Sequence, residues 1–227
     1  AQHGLIASFM PKPIFGINGS GMHTHMSLFD EKGKNLFYNQ DDEFKLSELA
    51  YSFIAGQLKH ARALSALVAP TVNSYKRLVP GYEAPVYIGW AQRNRSALIR
   101  IPRHNKGMEG ATRAELRCPD PSCNPYLAFT AMLLAAQDGM KNKMAPPKPL
   151  NNINIYRLSE EERKAKDIKA LPSSLLEALQ ELDQDQVLKD GLGEEIYSAF
   201  RRAKLHEWEE FRIRVTDWEV DSYMENA

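Results

Sequence analysis

The chain has 227 residues, and its 29 lysines and arginines balance its 29 aspartates and glutamates, so its formal net charge is zero. Without a basic excess, the composition does not favour a nucleic acid or an anionic membrane surface as a partner. We expect no membrane span, because no run of 18 apolar residues occurs, and the first residues lack the pattern of a signal peptide. The cysteines, Cys118 and Cys123, have no metal-like partners and predict reduced thiols in a cytoplasmic protein.

The first half of the sequence predicts short strands around one helix. IASF, MHTHMSLF and NLFY are apolar or alternating runs separated by proline, glycine and charged residues, which is typical of strands. Apolar residues at helical spacing then predict a helix that begins after the N-cap Ser47 and ends near Ala69, before Pro70. Residues 71–118 return to strands and loops. The first residue is alanine and the chain opens inside an apolar run, so we expect a part of a larger protein.

The second half, residues 119–227, is predicted to be mainly helical. One helix has Asn124 as its N-cap, Pro125 at its first position and Gly139 just past its end. A long amphipathic stretch follows from about Glu194 to Val215. Strands first and helices last predict an α+β fold with a helical C-terminal region.

The run MHTHMSLF places two imidazoles on one side of a strand. Alternate residues of a strand share a face, so His23, His25 and Ser27 lie opposite the methionines. Two interpretations stay open. The polar side is a solvent-exposed outer face, or it is a metal or phosphate site, since neutral imidazole is the commonest side-chain metal ligand.

The run ATRAELRC predicts a second strand with a small apolar face. Its other face carries Arg113, Glu115 and Arg117. A solvated ladder of charges explains this pattern in most proteins. Here the strand enters a proline-rich turn and a capped helix, and this rigidity modestly favours a functional site.

Arginines cluster in AQRNRSALIRIP, where Arg93, Arg95 and Arg100 fall within eight residues. No acidic residue lies between Glu83 and Glu109, so the cluster lacks local partners. Guanidinium groups suit phosphate and carboxylate oxygens. A nucleic-acid interface would need a wider basic excess, so small anions are the better fit.

The segment YKRLVPGYEAP predicts a loop around the Pro80–Gly81 turn. It brings Arg77, Tyr82 and Glu83 near one pivot. The loop is an ordinary surface turn or a gating loop with an acid–base group. Imidazole and carboxylate for a divalent metal, together with arginines for phosphates, are the parts of phosphoryl transfer.

Four segments carry a resemblance to a known family. NGSGMHTHMSLF, NSYKRLVPGYEAP, NRSALIRIP and ATRAELRCPDPSCNPYLA resemble, in order, the signature blocks of glutamine synthetase, and the resemblance runs over the whole chain. It is nearest the bacterial and archaeal branch, whose members form two stacked hexameric rings. The resemblance implies an antiparallel-sheet catalytic domain, of which residues 1–227 are the C-terminal part. Residues 1–118 would be mainly strands and site loops.

The resemblance also implies roles for individual residues. His23 would bind the metal beside the ATP phosphates, Glu115 would bind the metal on the glutamate side, and Arg95 would face the transferring phosphoryl group. Glu83 would close the site and help to take a proton from ammonium. The residues implied to contact ATP are His25, Ser27, Arg95, Arg100 and Arg113. The residues implied to contact glutamate are Asn18, Gly19, Arg77, Glu83 and Arg117.

The implied reaction is the ATP-dependent ligation of ammonia to L-glutamate, with Mg²⁺ or Mn²⁺ as cofactor. ATP would phosphorylate the γ-carboxylate, and ammonia would displace phosphate from the acyl phosphate. Two alternatives stay open: a ligase of the same family that uses another amine, and a catalytically silent scaffold or regulatory relative. The family's N-terminal domain and its earlier glutamate ligands have no counterpart in this chain. We therefore expect residues 1–227 alone to be inactive.

Two segments depart from the family pattern. RHNKGMEG does not match cleanly, so a contact between Lys106 and ATP stays open. Tyr156 lies near the tyrosine that is adenylylated in some members, but the segment after it is shorter. We expect no such control here.

Overall fold

The computed structural model describes residues 2–92, 94, 96–151 and 153–225. The strands within these ranges are β1 (Thr24–Met26), β2 (Tyr87–Ala91), β3 (Ala97–Arg100) and β4 (Ala114–Leu116). The helices are α1 (Glu48–Lys59), α2 (Ala61–Val68), α3 (Ser74–Arg77), α4 (Pro125–Lys141), α5 (Glu160–Ala165), α6 (Leu175–Gln184), α7 (Gln186–Leu192), α8 (Glu194–Arg212) and α9 (Asp217–Tyr223). Short 3₁₀ helices span Glu109–Ala111 and Ile155–Arg157. The expected α+β fold with a helical C-terminal region is confirmed.

The strands form one sheet in the order β1-β4-β3-β2. β4 pairs antiparallel with β1 and with β3, as expected, but β2 and β3 are parallel. The free side of β2 is covered, because the amide of Ile88 donates to Lys169 at 2.7 Å and that of Leu171 donates to Val86 at 2.8 Å. The sheet is therefore mixed rather than wholly antiparallel.

Several expected strands are shorter than predicted or absent. The IASF segment forms no strand among the described residues, and Ile6 there is 97% exposed. The strand expected from MHTHMSLF is limited to Thr24–Met26. NLFY forms isolated bridges only, such as that between Asn35 and Phe29. Local alternation predicted these strands, but a strand also needs a partner at hydrogen-bonding distance.

The helix expected from Ser47 to Ala69 is broken at His60. Ser47 caps α1 as expected, but His60 separates α1 from α2 with φ −91° and ψ 4°. Its ring is buried between two carboxylates: Nδ1 lies 2.6 Å from Asp185, and Nε2 lies 2.9 Å from Asp138. These contacts come from distant segments, so the spacing of apolar residues could not reveal the break.

We expect His60 to make stability depend on pH. Burial lowers the pKa of His60, but hydrogen bonds to Asp185 and Asp138 outweigh burial and raise it above 6.5. A histidine whose pKa is raised in the folded state stabilises the protein when the pH is below the pKa of the unfolded state. This contribution disappears as the pH rises through the pKa of the folded state. Replacing His60 with glutamine should therefore reduce the free energy of unfolding by about 3 kcal/mol at mildly acidic pH, as when a buried ion pair is broken.

The measurement is urea unfolding from mildly acidic pH upward through the raised pKa of His60. The difference in the free energy of unfolding between wild type and His60→Gln should shrink as the pH increases. His206→Gln is the matched control, because His206 faces Glu210 at 3.7 Å but is 74% exposed. A difference that stays constant with pH would contradict the assignment.

Gly139 lies inside α4 rather than past its end. A Cβ atom there would stand 2.1 Å from the carbonyl oxygen of Ser52 and 2.6 Å from the amide nitrogen of Gly56. The glycine is therefore required where α4 crosses α1 at close approach. The expectation that Gly139 terminates the helix was wrong, since α4 continues to Lys141.

Gly139→Ala should destabilise the fold strongly. The added methyl group meets backbone atoms that cannot rotate away, and overpacking of this kind costs about 1–3 kcal/mol or more. Gly110→Ala is the matched control, because a Cβ at Gly110 meets nothing within 4 Å. Equal melting temperatures of the two variants would contradict the close-packing explanation.

The core lies between one face of the sheet and the helices. Ile99 and Leu116 of the sheet are fully buried with Phe53 of α1, Leu64 of α2 and Met132 of α4. Among the described residues, no helix is both long and apolar enough to cross a bilayer. With one face of the sheet covered by helices, the other face carries the charged residues.

Candidate active site

The candidate site is built on a row of charged residues across three strands. In the register of the sheet, His25 of β1 and Arg100 of β3 both lie directly opposite Glu115 of β4. Residues two positions away share the same face, which adds His23 and Arg117. Three predicted segments, distant in sequence, therefore meet on one surface.

Glu115 is the centre of this face and is only 1% exposed. Its carboxylate lies 3.0 Å from His23 Nδ1, 2.5 Å from Arg100 Nε and 3.6 Å from Arg117 Nε. Burial alone would raise the pKa of Glu115, but the hydrogen bond with His23 and the charge of Arg100 lower it to about 2. The carboxylate is therefore ionised at neutral pH.

The burial of this face excludes the solvated ladder of charges as an interpretation of ATRAELRC. Glu115 and Arg117 are 1% and 5% exposed, so the strand does not carry a solvated ladder. Burial lowers the pKa of Arg117, although Glu115 opposes that change. Two buried ionic groups in contact are typical of a built site rather than of an outer surface.

The side expected to hold the nucleotide is more open. Arg113 donates from Nε to Nδ1 of His25 at 3.0 Å and from Nη1 to the carbonyl oxygen of Ala111 at 2.9 Å. Burial lowers the pKa of His25, and the charge of Arg113 adds to this. Ser27 is half-buried in the segment after β1. Arg95 lies outside the described residues, as does Arg93.

The glycine-rich loop lies against Arg77. A Cβ at Gly21 would stand 2.5 Å from Nη2 of Arg77 and 3.2 Å from Nε2 of His23, and one at Gly19 would meet Cγ of Arg77 at 3.2 Å. The absence of side chains thus leaves room for the guanidinium and the imidazole. Asn18, the other residue expected to contact glutamate in this loop, is exposed.

Arg77 is buried and already bound to the backbone. Its Nη1 donates to the carbonyl oxygen of Cys118 at 2.7 Å, and Nη2 donates to that of Arg117 at 3.1 Å. Burial lowers the pKa of Arg77. In this structure Arg77 therefore stabilises the turn after β4, whereas Arg117, the other arginine expected to contact glutamate, contacts Glu115.

Glu83 is exposed and has φ +57°, a conformation that is uncommon for residues other than glycine. It follows Gly81, whose φ is +97°. The next residue, Ala84, accepts a hydrogen bond from the hydroxyl of Tyr156 at 2.5 Å. Burial raises the pKa of Tyr156. The charge of Arg117 lowers this pKa, and the charge of Glu83 raises it. The loop is therefore held close to the charged face.

One residue in this region was not singled out from the sequence. Lys12 is 9% exposed, and its ammonium lies 3.8 Å from the ring centre of Tyr82. A lysine between two prolines carries no local signal of burial. Only the fold places it beside the loop of Glu83.

His23 and Glu115 can hold a divalent metal ion in part. An imidazole and an ionised carboxylate are suitable donors, and Nδ1 of His23 lies 3.0 Å from the carboxylate of Glu115. Within the described ranges, however, no group of three or more histidine, cysteine, aspartate or glutamate residues could hold a metal. The donors fit, but they do not complete a coordination shell.

Comparison with known proteins decides the family. The model of the glutamine synthetase catalytic domain matches residues 1–223. The chain belongs to this family. Among curated relatives, the glutamine synthetase of Thermotoga maritima is 55% identical over 222 residues, and that of Thermus thermophilus is 53% identical over 223 residues.

Solved structures agree with this glutamine synthetase fold. GmaS in complex with ADP has a TM-score of 0.87 at 40% identity and covers 99% of this chain and 50% of its own. The glutamine synthetase of Plasmodium falciparum has a TM-score of 0.83 at 30% identity and covers 95% of this chain and 49% of its own. The two bacterial relatives cover 98% of this chain and 49% of their own lengths. The chain thus spans about half the length of the proteins it matches.

Proposed function

We propose that residues 1–227 form the C-terminal part of the catalytic domain of a glutamine synthetase. The whole protein, meaning the full-length polypeptide that contains these residues, would ligate ammonia to L-glutamate at the expense of ATP. The observation that carries this proposal is the match of residues 1–223 to the catalytic-domain family, with the charged sheet face inside it.

The proposed chemistry has two steps. The γ-carboxylate of glutamate attacks the terminal phosphorus of ATP, which releases ADP and gives an acyl phosphate. Ammonia, formed when ammonium loses a proton, then attacks the acyl carbon, and phosphate leaves. The product is glutamine, and exclusion of water protects the acyl phosphate from hydrolysis.

Each residue has a proposed place in this reaction. His25, Ser27 and Arg113 lie on the nucleotide side, with Arg95 and Arg100 as further phosphate contacts. Asn18, Gly19 and the arginines Arg77 and Arg117 surround the glutamate. Glu83 lies in its loop and accepts the proton that ammonium loses. Arginines suit this work because the transferring phosphoryl group and the γ-carboxylate are both anionic.

We propose that His23 and Glu115 serve one divalent ion, Mg²⁺ or Mn²⁺, rather than two. Support comes from their direct contact, 3.0 Å between Nδ1 and the carboxylate. Such an ion supplies positive charge that neutralises phosphate oxygens. Its other ligands would be water and residues from the half of the relatives' length that this chain does not span. For the same reason, we propose that residues 1–227 are inactive alone.

The partners and setting follow the family. We propose a homo-oligomer, with two stacked hexameric rings as its arrangement, and neither a nucleic acid nor a membrane as partner. A cytoplasmic location remains a prediction; both cysteines are free and buried in the structure.

The test is an assay of the purified whole protein with ATP, magnesium, L-glutamate and ammonium. Glutamine and phosphate should form in equal amounts, and small primary amines should replace ammonium poorly. Faster product formation with an amine would favour the amine-ligase alternative. No ATP-dependent product with any acceptor would favour the silent relative and contradict the proposal.

A further inference from the structure

The environment of Lys12 is unusual for a lysine. The side chain is 9% exposed, and among the described residues its ammonium forms no ion pair. It donates instead to the carbonyl oxygen of Ile17 and lies 3.8 Å from the ring centre of Tyr82. A buried cation without a carboxylate is costly, so its partners must hold it in place.

One of these partners belongs to the glycine-rich loop. Ile17 directly precedes Asn18, and the amide of Ser20 donates to the carbonyl oxygen of Pro11 at 2.8 Å. Lys12 and Pro11 thus hold the loop at two points, Ile17 and Ser20. A Cβ at Gly19 would stand 2.2 Å from the same Pro11 oxygen, so the loop packs tightly against the backbone of Pro11.

The backbone of Lys12 is itself fixed to α3. Its amide donates to Oδ1 of Asn73 at 2.7 Å, and Nδ2 of Asn73 donates back to its carbonyl oxygen at 3.0 Å. Asn73 directly precedes α3, which carries the buried Arg77. The backbone of Lys12 is therefore fixed in place, and its side chain does not extend from a free segment.

The other partner belongs to the loop of Glu83. Tyr82 precedes Glu83, and Ala84 on the far side accepts the hydrogen bond of Tyr156. Glu83 is thus flanked by two fixed neighbours while its own side chain is exposed and its φ is +57°. This contact of Lys12 joins two loops that are about 65 residues apart in the sequence, since Ile17 lies in one and Tyr82 in the other.

We propose that Lys12 is a positioning residue that ties the glycine-rich loop to the Glu83 loop through the ring of Tyr82. It sets the place of glutamate through Ile17 and Asn18 and the place of the proton acceptor through Tyr82 and Glu83. Lys12 itself touches no reacting atom. This inference rests on the proposed function, since that function makes the two loops parts of one site.

The first experiment measures kinetics in the whole protein. Lys12→Met should raise the KM for glutamate and for ammonium about tenfold, because small displacements of positioning groups have large effects. The KM for ATP should stay within about twofold, since the nucleotide-side residues lie on other elements. Lys12→Arg keeps a cation over the ring and should restore both KM values.

Variants of the ring separate the contact from general stability. Tyr82→Phe keeps the ring and should behave as wild type, whereas Tyr82→Leu should reproduce Lys12→Met. The double variant should be no worse than either single one, as expected for residues that act through one contact. Lys189→Met is the matched control, because Lys189 also donates to a carbonyl oxygen, that of Asp183 at 3.2 Å, and lies 5.2 Å from the ring of Tyr197.

Amide hydrogen exchange without substrates is the second readout. Lys12→Met should speed exchange in residues 79–85, and Lys189→Met should not. Unchanged KM values and exchange, or an equal rise of all three KM values with a lower melting temperature, would overturn the proposal. If wild type makes no glutamine, the proposed function fails, and the exchange result still decides whether Lys12 ties the loops.

Discussion

Glu83→Ala in the whole protein is expected to lower the rate of glutamine formation by about 10²–10⁴-fold, the usual loss for a positioned proton acceptor. ATP-dependent phosphorylation of glutamate should fall less, because Glu83 acts on ammonium rather than on the phosphoryl group. The exposed carboxylate in a loop held by Tyr82 and Ala84 motivates this expectation. The measurement compares the rates of ADP formation and of glutamine formation in the same reaction.

Controls separate the carboxylate from the backbone of the loop. Glu83→Gln keeps the length of the side chain and should be as impaired as Glu83→Ala. Glu160→Ala removes a carboxylate that is 73% exposed and pairs with Lys164 on its own helix, so it should leave the rate unchanged. Near wild-type glutamine synthesis in Glu83→Ala would refute the proton-acceptor role.

The second large effect is expected at His23 and Glu115. His23→Ala should raise the magnesium concentration needed for half-maximal activity by at least about 10–100-fold, the usual loss even for groups that only orient metal ligands. The free energy of unfolding should fall less than in a variant of Glu115, because His23 is 37% exposed and supplies one of three contacts to the carboxylate. Glu115→Gln should raise the required magnesium concentration similarly, but it should also destabilise the fold.

The effect of Glu115 on stability has a definite sign with pH. Its folded pKa of about 2 lies below the ordinary value of 4.5, so its ion pairs stabilise the fold above that value. This contribution is lost as the pH falls towards about 2. At neutral pH, Glu115→Gln leaves Arg117 and Arg100 without their carboxylate, which costs about 3–5 kcal/mol for a buried pair.

Magnesium titration of activity and urea unfolding together separate the two roles. His23→Ala should change mainly the first measurement, and Glu115→Gln should change both. Magnesium dependence equal to wild type in both variants would show that the two residues only stabilise the sheet face.

Several features of this protein were decided by short sequence segments. Ser47 and Asn124 cap helices as predicted, since a cap depends on residues within one turn. Alternation in β1 and β4 correctly separated an apolar face from a charged one. The segments that resemble glutamine synthetase identified the family, because four long blocks in the right order make a specific match.

Other features were decided only by the tertiary structure. The burial of Glu115 depends on Arg100 and His23 from other strands, so the sequence alone left a surface ladder open. Gly139 was misread as a helix end because its close contact is with Ser52 on another helix.

Partners that lie far apart in the chain explain the remaining differences. His60 interrupts a regular apolar pattern because Asp138 and Asp185 bind its ring. Lys12 shows no sign of its burial until Tyr82 is placed over it. Local propensity and spacing act over a few residues, whereas burial, ion pairing and close backbone approach depend on segments that only folding brings together.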